Sequence, residues 1–149
     1  MVIVQREKFD TGAEFNRLTE GRTDIGAVVT FTGLVRDFND GSNVTSLTLE
    51  HYPGMTEKEL EKIEAAARER WALTECLIIH RFGKMDLGEP IVLVITASAH
   101  RGDAFAAAEF LMDWLKTKAP FWKLEANSEG ENDWVKERES DHDAAKRWQ

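Results

Sequence analysis

Two short stretches concentrate groups able to act on an anion or on a proton. His100-Arg101 follows an apolar, β-branched run and precedes Gly102-Asp103 and an alanine-rich stretch, so it reads as the junction of a strand and a helix. Free N–H groups and the positive dipole end at a helix start suit an anion. The planar arginine fork matches a phosphate or a carboxylate. The same pair would equally serve as a helix cap or as partners for surface acids. The second stretch is Lys116-Thr117-Lys118-Ala119-Pro120-Phe121-Trp122-Lys123, three lysines with no acid among them. Lysines in a helix's last turn complement its dipole, which accounts for Lys116 and Lys118 but not for Lys123, past the proline. Phe121 and Trp122 would desolvate the Lys123 ammonium and favour a neutral amine, or they are simply core. Arg36 ends Thr32-Gly33-Leu34-Val35-Arg36 before a turn-rich loop, as a further anion contact or a solvated charge. Arg138 has Glu137 and Glu139 beside it and, taken alone, reads as a surface ion pair.

Other chemistries are disfavoured. The chain lacks a P-loop, a dinucleotide-binding glycine pattern, HExxH and GxSxG, and its four histidines have no close-spaced partners for a metal. Cys76, the single cysteine, opens an apolar strand and reads as core rather than nucleophile; one cysteine also excludes an intrachain disulfide. A net charge of −8 argues against general nucleic-acid binding, so an anionic ligand must be held by a local basic cluster against the global field. No apolar run reaches a membrane span and the first residues lack a secretory core; a reducing cytoplasm fits.

The elements that must position these residues are legible in outline. At 149 residues, 42% apolar and 31% charged, one globular domain is expected. Val2–Arg6 reads as a strand, and Asp10 as the cap of a helix that stops at Gly21. Ile25–Val35 and the alternating Val44–Tyr52 read as strands paired in a hairpin about Asp40-Gly41. Thr56-Glu57-Lys58-Glu59 reads as a capping box, opening a helix with Leu60, Ile63, Ala67 and Trp71 on one face. Strands Glu75–His80 and Pro90–Ser98 follow, joined by a loop. A helix over Asp103–Lys118 buries Phe105, Ala108, Met112 and Leu115. Pro120 ends it, and a small hairpin and a last short helix complete the chain. Strands in adjacent pairs predict a mostly antiparallel α+β fold.

The stretches FTGLVRDFNDG, LEHYPGM, IIHRFGKMDLGE, SAHRGDAFAAAEFLMDWLKTKAPFWKLE and WVKERESDHDAAKRW together resemble the MoaE family, the large subunits of molybdopterin synthase, from Ile25 to Trp148. The resemblance implies an α/β-hammerhead core, about residues 1–120, with a small antiparallel β subdomain in one domain of 149 residues. It implies a sulfurtransferase that forms the dithiolene of molybdopterin from cyclic pyranopterin monophosphate. Sulfur would come from the C-terminal Gly-Gly thiocarboxylate of a small ubiquitin-like, MoaD-type subunit, one atom per visit. The assembly would be a central homodimer with a small subunit at each end, and no metal, nucleotide or other cofactor. The implied substrate contacts are Leu34, Val35, Arg36, His100, Arg101, Lys116, Lys123, Leu124, Glu125 and Arg138, the last reaching across the dimer. Lys116 and Lys123 would be the catalytic pair, with Lys116 the more critical because a helix end is the more rigid platform. A non-catalytic anion- or pterin-binding module and a scaffold for a ubiquitin-like partner are the alternatives.

Overall fold

The computed structural model describes residues 1–39, 42–127, 132–135 and 139–148. Among them are nine strands and four helices, an α+β arrangement in two sheets. The first sheet runs β1 (Val2–Gln5), β5 (Leu73–Arg81), β7 (Pro90–Ser98), β2 (Ala27–Leu34). Only β1 and β5 are parallel there; the other pairs are antiparallel. β5 and β7 carry near-continuous apolar runs because both faces of this sheet are covered. Cys76, Ile78, Val92 and Val94 face α2 (Met55–Arg70) and α3 (Arg101–Thr117), meeting Leu60, Ile63, Phe110 and Leu111. Leu77, Ile79, Leu93 and Ile95 face the other way, onto Leu18 of α1 (Thr11–Thr19). Cys76 is fully buried in this packing, and burial pushes its thiol up to about 12.

The second sheet is antiparallel. β4 (Ser42–His51) pairs β8 (Phe121–Asn127) along one side, and β6 (Gly83–Asp86) and β3 (Phe38–Asn39) along the other. β9 (Asn132–Val135) pairs the far edge of β8. Leu47, Leu49 and Met85 pack with Val35 between the sheets. The last helix, α4 (Glu139–Lys146), is followed by a latch onto α3. Arg147 binds Glu109 and Asp113, the Trp148 indole N–H donates to Asp113, and the Trp148 ring meets Trp71 and Phe110 edge-on.

Several local expectations are corrected. β2 and β4 do not form a hairpin: β2 pairs β7 in the first sheet, and β4 belongs to the second. The register of β2 slips between Gly33 and Leu34, and the next residue crosses between sheets. Val35 donates its N–H to Glu89 O and accepts from Gly88 N–H. The expected turn at Asp40-Gly41 lies outside the described residues. β6 was expected as loop, although its side chains alternate between exposed Lys84 and Asp86 and buried Met85. The cap of α2 is Gly54, whose N–H donates to Glu57 at 2.6 Å; Thr56 is instead fully buried inside the first turn. On α3 the buried residues are Ala104, Ala107, Ala108, Phe110, Leu111 and Leu115, and Phe105, 59% exposed, faces solvent. Ala108 and Leu115 are buried as expected, while the small Ala104 rather than the bulky Phe105 fits against the sheet.

Candidate functional site

Two basic regions sit at opposite ends of α3. At its start, β7 closes at Ser98 and His100 is the N-cap, in extended backbone and making no side-chain capping bond. The junction is held from several directions. Thr96 Oγ1 donates to Ala104 O at 2.6 Å and Ser98 Oγ to Ala72 O at 2.8 Å. Asp103 accepts the Ala72 N–H at 3.1 Å, and Gly26 N–H donates to Ser98 O at 2.9 Å. On this fixed base the exposed His100 and Arg101 side chains make no hydrogen bond or ion pair among the described residues. Neither the cap nor the surface-acid reading of the pair is therefore realised. The helix start leaves both, with its free N–H groups, available to an anion.

The other end gathers the lysines. Lys116 is exposed in the last turn of α3, and Lys118 caps it with its ammonium over the Trp114 ring. After Pro120 the chain enters β8, where Phe121 pairs His51 and Lys123 pairs Leu49 across β4. Phe121 and Lys123, two residues apart, share a face of the strand. His80 of β5 has the same parity as Ile78 and Cys76, toward α3, and its ring stacks on Phe121 at 3.8 Å and 16°. The positive charges of Lys123 and Lys116 both bear on that imidazole, as does His51. The helix end and the strand thus both act electrostatically on His80. The Phe121 ring is taken up by His80, and the Trp122 ring packs on Tyr52 at 4.7 Å.

His80 and His51 have assignable tautomers. A carbonyl only accepts, so His80 Nδ1, 2.9 Å from Arg81 O, carries the proton. Thr56 Oγ1 donates to Tyr52 O at 2.8 Å, so it accepts from His51 Nδ1 at 3.0 Å. Burial foremost, then the lysine and His51 charges, pushes His80 down to about 4 from its ordinary 6.5, against the contrary pull of the Arg81 carbonyl. The consequence for stability has a definite sign. Between pH 6.5 and 4 the unfolded ring takes up a proton that the folded ring refuses, so stability is complete above that window and falls as the pH drops through it, by about 3 kcal/mol. Urea midpoints at pH 7 and pH 4.5 are expected to show this loss, and His80→Phe to remove that part of it.

The remaining candidates are spread. Arg36 is exposed just past β2 and makes no hydrogen bond or ion pair among the described residues. Leu34 is exposed and Val35 buried. Leu124 and Glu125 pair Thr48 and Leu47 on β4. Arg138 lies outside the described residues. Arg101 and Lys116 are fifteen residues apart on α3, which at 1.5 Å per residue separates their backbones by about 22 Å. One copy of the chain therefore does not bring the His100-Arg101 pair against the lysines.

A family model described as MoaE protein matches residues 4–118. The molybdopterin synthase catalytic subunit of Yersinia pestis is 58% identical over 145 residues, spanning 97% of this chain and 95% of that one. The chain belongs to the MoaE family. Among solved structures, a MoaE protein of Burkholderia ambifaria is 47% identical with a TM-score of 0.83, covering 99% of this chain and 97% of that one. A complex of subunits 1 and 2 of molybdopterin-converting factor from Helicobacter pylori shares the fold, with a TM-score of 0.76 at 22% identity, over 92% and 91% of the two chains. In this MoaE-family chain, His51 and His80 have no spacing that marks them by residue type alone. Their signal was present: each stands inside one of the stretches that carry the family resemblance. No described helix is long and apolar enough to cross a membrane, and no described cluster of His, Cys, Asp or Glu is suited to a metal.

Proposed function

We propose that the chain is a molybdopterin synthase catalytic subunit, a sulfurtransferase that converts cyclic pyranopterin monophosphate to the dithiolene of molybdopterin in the cytoplasm. The near-full-length identity to curated subunits of that name carries this reading. The sulfur donor is a small ubiquitin-like subunit ending in a Gly-Gly thiocarboxylate. The neighbour from Helicobacter pylori, solved as a two-subunit complex, is in keeping with such a partner. Arg36, His100, Arg101 and Arg138 bind the substrate's phosphate by charge-assisted bonds. Lys116 and Lys123 move protons and stabilise oxyanions as sulfur is added. Leu34, Leu124 and Glu125 line the approach, and Val35, buried with Leu47, Leu49 and Met85, anchors the segment that carries Leu34 and Arg36.

The length of α3 bears on how the site is assembled. Because about 22 Å separates its two ends, a complete site uses the lysine end of one copy and the His100-Arg101 end of a second. The homodimer is part of this proposal.

Reconstitution with the thiocarboxylated partner and cyclic pyranopterin monophosphate tests it. Wild type is expected to form product, and absence of product sinks the reading. Arg101→Ala is expected to raise KM about 10- to 100-fold, the worth of one charged hydrogen-bond donor to a phosphate. Unchanged KM would remove Arg101 from the phosphate site.

A further inference from the structure

Lys116 and Lys123 come from different elements, so something must fix the distance between them. Lys123 is held by β8, whose first residue, Phe121, lies two positions earlier on the same face. Phe121 has imidazoles on it from two other strands. His80 of β5 stacks at 3.8 Å, and His51 of β4 stands 6.0 Å away and meets Phe82 at 4.4 Å. Each imidazole is tethered at Nδ1, His80 to the Arg81 carbonyl and His51 to Thr56. His80 is the buried member, sitting where the first sheet meets the start of β8.

We propose that His80 is a positioning residue for the lysine pair: its ring, fixed by the Nδ1 bond and flat against Phe121, sets where Lys123 stands relative to Lys116. This rests on the reading that both lysines act on the substrate. The ring's neutrality belongs to the same arrangement. The charges that act on it are those of Lys123 on β8, Lys116 on α3 and His51 on β4, and the Arg81 carbonyl on its own strand accepts its Nδ1 proton. A third positive charge in their midst would drive the ammonium groups apart. An aromatic that stays uncharged supplies the flat surface without that repulsion. His80 is buried and stacks on Phe121, so its effect passes through the placement of Lys123.

The test compares His80→Asn, which keeps a donor near the Nδ1 position but no ring, with His80→Phe, which keeps the ring. In the reconstituted reaction His80→Asn is expected to lose ~10-fold in kcat, the cost of a modest misplacement. KM should stay within about twofold, and the basic limb of the pH–rate profile should move as the lysine environment changes. His80→Phe is expected to recover kcat to within about threefold of wild type. A purely structural His80 would lower Tm without moving the pH profile. An unmoved profile in His80→Asn, or equal impairment in both variants, overturns the proposal. Because wild type is the reference, its failure to turn over would count against the catalytic reading instead. A second measurement needs neither activity nor variants. Imidazole 15N shifts of wild type are expected to report a neutral, Nδ1-protonated His80 from pH 8 down to 5. A ring that protonates between pH 6 and 7 overturns the proposal.

Discussion

Lys116→Ala is expected to lower the rate of sulfur insertion by about 10²- to 10⁴-fold, the usual worth of a positioned proton-transfer group. The side chain is exposed at the end of a 17-residue helix, and its removal leaves no cavity. Tm should therefore shift little, since surface substitutions of this kind stay within about 0.5 kcal/mol. Loss of rate with retention of fold separates chemistry from stability. The lysine's helix is anchored along its length by Leu111 and Leu115 in the core and by the Arg147 and Trp148 latch on its outer face. Lys123 stands on a strand paired on both sides. Single-turnover formation of molybdopterin from the pre-loaded partner measures the effect. Wild-type rates in Lys116→Ala would remove it from the mechanism and leave Lys123 as the candidate amine.

Gly26→Ala is expected to be the most damaging of the small substitutions, destabilising the fold by about 3 kcal/mol, the upper range for overpacking. A Cβ at Gly26 would lie 2.1 Å from the Ala99 carbonyl oxygen and 3.0 Å from its carbon, well inside contact distance. The obstacle is backbone, so no side-chain rotation relieves it. Gly26 also donates to Ser98 O, so the two segments cannot part without breaking that bond. The displaced residue is the one before His100, and KM for the phosphorylated substrate should rise together with the loss of stability. Gly102→Ala supplies the contrast. It is helical, and nothing lies within 4 Å of a Cβ there, so it is expected to be neutral or stabilising by about 0.5 kcal/mol. Urea unfolding of the two variants side by side checks the pair. Equal stability would mean that the approach of residue 26 to residue 99 is not tight in solution.

The sequence disclosed the elements better than their partners. Pro90–Ser98, Phe121–Ala126 and the Asp10 cap are local statements, and local chemistry decides them. The Asp10 carboxylate accepts the Ala13 N–H at 3.0 Å as its position implies. The supposed hairpin of residues 25–35 with 44–52 failed because pairing is decided by what else competes for an edge. β7 supplies β2 with a more continuously apolar partner, and one slipped residue sends the chain into the other sheet. The stripe of α3 was misplaced because alanines next to one another fit either side, and only the packing chooses Ala104 over Phe105. Of the candidate residues, Lys116 and Lys123 both bear electrostatically on a histidine that no spacing rule marks, since stacking between β5 and β8 spans forty-one positions. The separation of Arg101 from Lys116 was readable by counting along the helix.

That helix also behaves as a phased spacer. Each residue advances it by about 1.5 Å and turns it by about 100°. Inserting one alanine between Arg101 and Lys116 would swing the lysine a quarter-circle off its bearing while hardly changing its reach. Seven added residues would nearly restore the bearing and displace the lysine by about 10 Å. The span of α3 is therefore fixed in both angle and length, and natural variation in chain length is expected to collect in loops rather than in this rod.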